Sequence, residues 1–222
     1  MSLARLADLK RAATKIVAVV CWDTPMARIA DAAGVDLVSV GDSVGVNLWG
    51  QKPGEITVDE LLIVARAVRR GVKRALVSCD LPENASPREA IRLMRDARAD
   101  LVKMLASPDI VREVAKQGVP VFAEMHGDKL NPDELVALAK QLEAAGATML
   151  DFRHSGPVAG AAVTKAVSIP VIGGLGGGPW LDGRVRRLDA LIGKPVEQIA
   201  VDALRAYAND VRRSRPLASD RA

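Results

Sequence analysis

Residues 119–152, VPVFAEMHGDKLNPDELVALAKQLEAAGATMLDF, decide the fold. The stretch opens with the apolar run Val119–Ala123 and closes with a second apolar run, Thr148–Phe152. Between them, Pro132–Ala145 carries apolar residues at helical spacing, with Asn131 and Pro132 typical of a helix start. Gly146 stands where a helix C-terminal cap belongs. A strand, a helix and a strand in this order predict two parallel strands joined by a crossover helix.

The same alternation runs through the rest of the chain. Further strands are predicted at Ile16–Cys21, Leu37–Val40, Ala75–Cys79, Leu101–Leu105 and Pro170–Gly173, with a less regular, charged eighth candidate at Val185–Leu188. Further helices are predicted at Val58–Arg70, Pro87–Ala97, Asp109–Gln117, Val158–Ala166 and Val196–Val211. We therefore predict a single-domain (β/α)8 barrel over residues 1–213, followed by a disordered tail at 214–222. A doubly wound open sheet is the alternative, although no dinucleotide fingerprint follows the first strand.

Composition excludes several classes of protein. The chain has 222 residues, a formal net charge of +4 and only 3% aromatic residues. Its basic residues fall on helix faces and in the C-terminal tail without aromatic stacking partners, which argues against nucleic-acid binding. Cys21 and Cys79 form no disulfide or metal-binding pattern. The N-terminal apolar run is too short for a membrane span and lacks a signal-peptide cleavage site, so we predict a cytoplasmic protein with no membrane partner.

Acidic residues close several of the predicted strands. In a parallel barrel the C-terminal ends of the strands meet at one face, where active sites lie. Clustered carboxylates repel one another unless they are protonated or neutralised, and Mg²⁺ or another divalent cation, which prefers oxygen ligands, would neutralise them. The four carboxylates are Asp42, Asp80, Glu124 and Asp151.

Two further features point to a small anionic substrate. Lys103 interrupts the apolar run LVKML, where it would hold a substrate carboxylate or form a Schiff base. Gly173 and Gly174 begin the glycine-rich run 173–178, which is either a flexible turn or a nest of backbone N–H groups for an anion.

Four motifs resemble one enzyme family. CWDTPMAR (Cys21–Arg28) resembles T-A-Y-D-x-P-x-A-R, and AGVDLVSVGDSVG (Ala33–Gly45) resembles A-G-x-D-x-x-L-V-G-D-S-x-G. The segment Thr57–Pro82 ends in D-L-P, and Val171–Gly193 resembles I-G-I-G-A-G-x-x-x-D-G-Q-x-L-x-x-x-D-x-L-G. The chain is thereby identified as a shortened, divergent relative of the ketopantoate hydroxymethyltransferases, within the phosphoenolpyruvate mutase and isocitrate lyase superfamily.

The resemblance implies an aldol-type transfer of a hydroxymethyl unit to a 2-oxo acid, in pantothenate biosynthesis. It implies that Asp42 and Asp80 hold Mg²⁺, that Ser43 and Lys103 contact the 2-oxo acid, and that Asp151 is the base. Methylenetetrahydrofolate would supply the one-carbon unit, and the chain would form a homo-oligomer.

Three positions depart from the family pattern. Leu105 replaces a glutamate that supports the metal site, and Glu124 replaces a histidine. Asp151 replaces a glutamate and is one methylene shorter. The segment after the fifth strand is also shortened. We interpret Glu124 as a substitute acid, with a catalytic or metal-binding role.

Two other functions fit the same residues. One is a 2-oxo acid lyase, aldolase or decarboxylase of the same superfamily. The other is an inactive paralogue that binds a metabolite or a partner, which the loss of the glutamate at Leu105 favours. Retention of acids and Lys103 at the strand ends argues for an enzyme.

Overall fold

Eight parallel strands form a closed barrel in the order β1 to β8, with β8 pairing back onto β1. The computed structural model describes residues 1–83, 85–105, 107–192 and 194–212. The closed barrel confirms the predicted (β/α)8 fold. The strands are β1 (Ile16–Val20), β2 (Leu37–Val40), β3 (Leu76–Asp80), β4 (Leu101–Leu105), β5 (Val121–His126), β6 (Ala147–Arg153), β7 (Val171–Gly173) and β8 (Gly183–Arg187).

Helices connect the strands. In the unit that holds the barrel they are α1 (Leu3–Arg11), α2 (Thr24–Ala32), α3 (Val44–Leu48), α4 (Val58–Gly71), α5 (Pro87–Ala97), α6 (Pro108–Ala115), α7 (Pro132–Ala144) and α8 (Pro157–Ala166). Asn131 shows why α7 begins where the sequence predicts. Its side chain accepts from the backbone N–H groups of Asp133 and Glu134, and the Glu134 carboxylate accepts from the Asn131 N–H. Donors at the helix start are thereby satisfied.

The N-terminal end of the barrel is filled by apolar side chains. The first inward residue of most strands belongs to one buried cluster, which also includes Leu6 and Leu9 of α1. Helix α1 therefore covers this end of the barrel. The strand residues of the cluster are Ile16, Ala18, Leu37, Leu76, Leu101, Phe122, Met149 and Ile172.

The eighth strand was the weakest prediction, because three arginines interrupt its pattern. Strand β8 pairs with β1 from Gly183 to Arg187 and with β7 through Gly183 and Arg184. Val185 packs against the buried cluster. A single apolar residue facing inward is enough here, because backbone hydrogen bonds on both sides hold the strand.

Strands β5 and β6 continue past the C-terminal ends of the apolar runs from which they were predicted. Their pairing continues through Glu124 with Asp151 and through His126 with Arg153. Diagonally across the two strands, Arg153 Nη2 lies 2.8 Å from Glu124 Oε2, and this attraction between opposite charges supports the pairing past the apolar residues. Their side chains are therefore held on regular strands rather than on loops.

The chain contacts divide the protein into two units. Met1–Arg187 contains the whole barrel, and Leu188–Ala222 contains α9 (Leu188–Ile192) and α10 (Lys194–Arg212). Helix α10 agrees with the helix predicted from Val196 to Val211. The predicted disordered tail, 214–222, lies outside the described residues, and the extent of the domain to residue 213 stays a prediction. Across the described helices, none is long and apolar enough to cross a membrane.

Candidate active site

A buried ionic cluster lies at the C-terminal ends of β3 to β6. The Lys103 side chain stands at its centre, with the residue only 6% exposed. Its Nζ lies 2.8 Å from Oε2 of Glu124 and 3.3 Å from Oδ2 of both Asp80 and Asp151. The structure thus brings together three of the predicted carboxylates around the predicted lysine.

Strand periodicity explains this convergence. Side chains two residues apart point to the same side of a strand. Lys103 lies two residues after Leu101, Glu124 two residues after Phe122, and Asp151 two residues after Met149. Leu101, Phe122 and Met149 all belong to the buried apolar cluster. The polar residues therefore occupy the layer above the apolar core.

Arg153 and His126 belong to the same cluster, although the sequence analysis gave neither a role. Nη2 of Arg153 lies 2.8 Å from Oε2 of Glu124, and its Nε lies 3.4 Å from Oδ2 of Asp151. Nε2 of His126 lies 2.8 Å from Oε1 of Glu124. Both follow an inward-facing acid by two residues, so the strand period was the signal that could have found them.

The charge on Lys103 follows from its neighbours. Burial alone lowers the pKa of a lysine, but the carboxylates of Asp80, Asp151 and Glu124 outweigh it and hold the pKa of Lys103 above its ordinary value. The side chain is therefore an ammonium ion at neutral pH. A Schiff base needs a neutral amine, so this environment favours the carboxylate-binding role over the Schiff-base alternative.

The acids differ in their electrostatic surroundings. Burial raises the pKa of Asp80 to about 6, with Lys103 opposing the shift and Asp42 and Glu124 adding to it. Burial also raises the pKa of Glu124, but Lys103 and Arg153 outweigh it and lower the pKa overall. Glu124 is therefore held more firmly as a carboxylate than Asp80, and both of its oxygens contact cationic or polar groups.

Two carboxylate oxygens in this site have no protein partner. Oδ1 of Asp80 and Oδ1 of Asp151 are buried and accept no hydrogen bond in the structure. A buried charged oxygen without a partner is costly, so each is an open position for a ligand atom or a proton. Asp151 is only 1% exposed, so bulk water does not reach its open oxygen.

Asp42 lies beside Asp80 at the ends of β2 and β3. The backbone N–H of Asp42 lies 3.4 Å from Oδ2 of Asp80. Among the residues that the structure describes, no set of three or more His, Cys, Asp or Glu side chains is arranged to hold a metal ion. The predicted set of Asp42, Asp80 and Glu124 is therefore not assembled, because Glu124 points its oxygens at Lys103, Arg153 and His126.

These residues still fit a magnesium ion that is held by few protein ligands. Mg²⁺ keeps several waters and is commonly bound through one or two carboxylates and the substrate. Asp80 offers an open buried oxygen beside Asp42. The carboxylates of Asp42, Asp80, Glu124 and Asp151 also outnumber the Lys103 and Arg153 cations, so a divalent cation would balance the charge of the site.

Ser43 is half-buried, immediately before the short helix α3. Its Oγ lies close to Gly41, at 3.0 Å from where a β-carbon on that glycine would be. Ser43 is thus near Asp80, whose Oδ2 lies 3.8 Å from the same point.

Gly173 and Gly174 pack tightly instead of forming a free turn. A β-carbon on Gly173 would lie 2.4 Å from the backbone oxygen of Phe152, and one on Gly174 would lie 3.2 Å from Val185. Further along, the backbone N–H of His154 donates to the oxygen of Leu175 at 2.6 Å. The start of the glycine-rich run is therefore held against β6 and β8, next to the ionic cluster.

Comparison with known proteins agrees with the predicted family and fold. The sequence profile of the family described as "Ketopantoate hydroxymethyltransferase" matches residues 1–127 and 125–215. The chain belongs to the ketopantoate hydroxymethyltransferase family. Both the family predicted from the motifs and the prediction of a hydroxymethyltransferase-type enzyme are confirmed.

Curated relatives in the family cover most of the chain. A 3-methyl-2-oxobutanoate hydroxymethyltransferase from Synechocystis sp. is 33% identical over 221 residues, covering 87% of this chain and 85% of that protein. A 3-methyl-2-oxobutanoate hydroxymethyltransferase from Pyrococcus furiosus is 34% identical over 198 residues, covering 77% of this chain and 69% of that protein.

Solved structures share the fold. A 2,3-dimethylmalate lyase of the PEP mutase/isocitrate lyase superfamily aligns with a TM-score of 0.69 at 16% identity, covering 95% of this chain and 87% of that one. An oxaloacetate acetylhydrolase aligns with a TM-score of 0.67 at 13% identity, covering 95% of this chain and 86% of that one. This chain thus shares its barrel fold with these two enzymes.

Proposed function

We propose that this chain transfers a hydroxymethyl unit to a 2-oxo acid by an aldol-type reaction that depends on a divalent cation. The observation that carries the proposal is the environment of Asp151. Its Oδ1 is buried and unpartnered, and its Oδ2 faces the Lys103 ammonium. Oδ1 of Asp151 can therefore accept a proton while the contact between Oδ2 and Lys103 keeps the carboxylate oriented.

The substrate is held by charge. Lys103 is an ammonium ion at the C-terminal ends of the strands, and Ser43 adds a hydroxyl nearby. The 2-oxo acid binds with its carboxylate at these two residues. We propose that the relatives' substrate, 3-methyl-2-oxobutanoate, is also the substrate here.

Asp151 then removes the proton from the carbon beside the ketone, through Oδ1. Negative charge develops on the ketone oxygen, and the Lys103 ammonium stabilises it. Asp42 and Asp80 would hold Mg²⁺ or another divalent cation, which would supply Lewis-acid stabilisation of negative charge. Glu124 keeps Lys103 and Arg153 in place, so its proposed catalytic contribution is orientation.

The carbon nucleophile next forms a C–C bond to a one-carbon unit. With methylenetetrahydrofolate as co-substrate, both C–N bonds that hold the methylene carbon to the folate break, and water supplies the hydroxyl group. The two folate nitrogens take up the proton removed from the substrate and the proton released by water. The backbone of Gly173 and Gly174 borders the pocket on the β7 side. We further propose that the protein acts as a cytoplasmic homo-oligomer.

Proton–deuterium exchange tests the first chemical step alone. Incubation of 3-methyl-2-oxobutanoate in D2O with Mg²⁺ and no folate should replace the proton beside the ketone, as followed by NMR. Asp151→Asn should slow the exchange about a hundredfold, the order expected for a lost general base. Asp42→Asn should remove its dependence on Mg²⁺. Asp109→Asn, an exposed aspartate on α6, is the matched control and should exchange like the wild type.

Absence of exchange with this substrate, pyruvate and 2-oxobutanoate would contradict the proposal. Exchange that survives Asp151→Asn unchanged would contradict the role given to Asp151. Mg²⁺ binding without exchange would instead support the inactive, metabolite-binding paralogue.

A 2-oxo acid lyase is the second candidate, because the loss of the family glutamate at Leu105 weakens the case for transfer while the retained acids and Lys103 still argue for an enzyme rather than the inactive paralogue. Leu105 is 49% exposed at the end of β4, where the family pattern carries a glutamate. Its apolar side chain leaves the mouth of the barrel without that acid. Cleavage of a hydroxylated 2-oxo acid, without transfer from folate, would support the lyase. Leu105→Glu should then raise the apparent affinity for Mg²⁺, whereas Leu130→Glu, at another exposed leucine, should leave it unchanged.

A further inference from the structure

A cleft lined by arginines lies at the opposite end of the barrel from the ionic cluster. It has a volume of about 670 Å³, within the size range of small-molecule sites. Its walls come from the last turns of α4 and α5 and from the segments just before β3 and β4. Those segments enter the strands at their N-terminal ends, so this cleft is separate from the candidate active site.

The cleft carries an excess of positive charge. Its charged lining residues are Arg66, Arg69, Arg70, Arg98, Asp96 and Asp100. Each of the two aspartates already has an arginine partner. Asp100 is 2.9 Å from Arg69 Nη1, and Asp96 is held by Arg95 at 2.7 and 3.4 Å.

Three lining arginines are left without a carboxylate partner. In the described part of the chain, Arg66, Arg70 and Arg98 form no ion pair within 4 Å of a carboxylate. The carbonyl groups at the helix ends would repel an anion. Arg66 and Arg69 counter this, because they donate to the backbone oxygens of Asp96 and Val72.

Arg98 occupies a backbone position that normally takes glycine. It follows α5 with φ +57 and ψ +40, in the left-handed region. Gly34, Gly118 and Gly146 stand at positive φ after other helices. A left-handed arginine is strained relative to glycine, so its side chain contributes something that a glycine could not.

We propose that this cleft binds a small molecule that carries a pyrophosphate or two neighbouring phosphate groups. Guanidinium groups bind phosphate oxygens through paired N–H donors, and several unpaired arginines around one concave site match a ligand with more than one negative charge. Arg70 and Arg98 contribute the exposed donors, and Arg66 closes the site from α4. The proposal does not depend on the reaction at the other end of the barrel.

Calorimetric titration of the full chain with sodium pyrophosphate, without Mg²⁺ and at constant ionic strength, tests the proposal. We expect one saturable site. Arg98→Gly should weaken binding about tenfold or more, the order expected for a lost charge-assisted hydrogen bond. The same variant should raise the melting temperature, because glycine relieves the left-handed strain. A residue with a purely structural role would not combine these two effects.

The control is Arg88→Gln, which removes one charge from the first turn of α5, about 15 Å along the helix from Arg98. Its affinity for pyrophosphate should stay within about twofold of the wild type, while Arg70→Gln should weaken binding like Arg98→Gly. Inorganic phosphate should bind more weakly than pyrophosphate. The proposal is overturned if the wild type shows no saturable binding, if Arg88→Gln weakens it as much, or if binding survives Arg70→Gln combined with Arg98→Gly.

Discussion

Nζ of Lys103 on β4 lies 2.8 Å from Oε2 of Glu124 on β5, inside the barrel. The same glutamate oxygen is 2.8 Å from Nη2 of Arg153 on β6. One carboxylate therefore links two cations from neighbouring strands, and each cation in turn contacts Asp151. The pairs orient one another, which is how a site built on three separate strands keeps a single geometry.

Removal of the central cation should destabilise the fold. Lys103→Met leaves the buried acids Asp80, Glu124 and Asp151 without their shared partner, and breaking a buried ion pair in this way costs about 3–5 kcal/mol. Urea denaturation at neutral pH should show this loss in the free energy of unfolding. Lys140→Met, at an exposed lysine on α7, should change it by less than about 0.5 kcal/mol. A similar small change in both variants would contradict the ionic cluster.

Arg153 should act as a positioning residue. Arg153→Gln frees Glu124 and the proposed base, Asp151, from one of their cations, and displacement of a base by about 1 Å can cost about a hundredfold in rate. We expect a lower kcat for deuterium exchange with a smaller change in KM. Arg153→Lys should recover part of the rate, because a lysine keeps the charge but lacks the planar set of N–H groups with which the guanidinium contacts both acids. Arg112→Gln, on α6, serves as the control; a loss confined to KM would argue for direct substrate binding instead.

Asp31 should make stability depend on acid pH. Its carboxylate accepts from the backbone N–H groups of Arg74 at 2.9 Å and Ala75 at 2.8 Å. Burial raises the pKa of Asp31, but these hydrogen bonds outweigh burial, so the pKa is lower when the protein is folded. A lowered folded pKa adds stability above the unfolded value of about 3.9, and this is lost as the pH falls through the folded value.

Asp31→Ala should therefore cost about 2 kcal/mol at pH 7, since it leaves buried N–H groups unpaired. Urea unfolding of both proteins from pH 7 down to pH 3 should show the charge-dependent part of this difference shrinking below about pH 4. A difference that stays constant over that range would mean that the charge on Asp31 does not contribute.

Ser39 and Ser78 should be coupled. Ser78 donates its hydroxyl hydrogen to Oγ of Ser39 at 2.9 Å, with both residues buried inside the barrel. Ser39→Ala or Ser78→Ala alone leaves one hydroxyl unpaired and should cost about 1–3 kcal/mol. The double variant should cost less than the sum of the two single variants, because both polar groups are gone. Additive costs in urea unfolding would exclude this coupling.

The sequence predicted most of the fold because the relevant signals are local. Helix α7 is set by its cap at Asn131 and its apolar spacing, and β4 by its apolar run, all within a few residues of chain. The eighth strand was harder to predict, since only Val185 faces the core and its neighbours are arginines. Its identity as a strand depends on pairing with β1, which is distant in sequence.

The sequence by itself also determined which residues form the candidate site: Asp42, Asp80, Lys103, Glu124 and Asp151 all end or interrupt apolar strands. Only the tertiary structure decided how these side chains are paired. Barrel closure and strand register place Lys103 among three acids, turn one oxygen of Glu124 toward Lys103 and Arg153 and the other toward His126, and thereby bring Arg153 into the cluster. Electrostatic energies depend on distances of a few ångströms between residues that are far apart along the chain, and no local pattern encodes those distances.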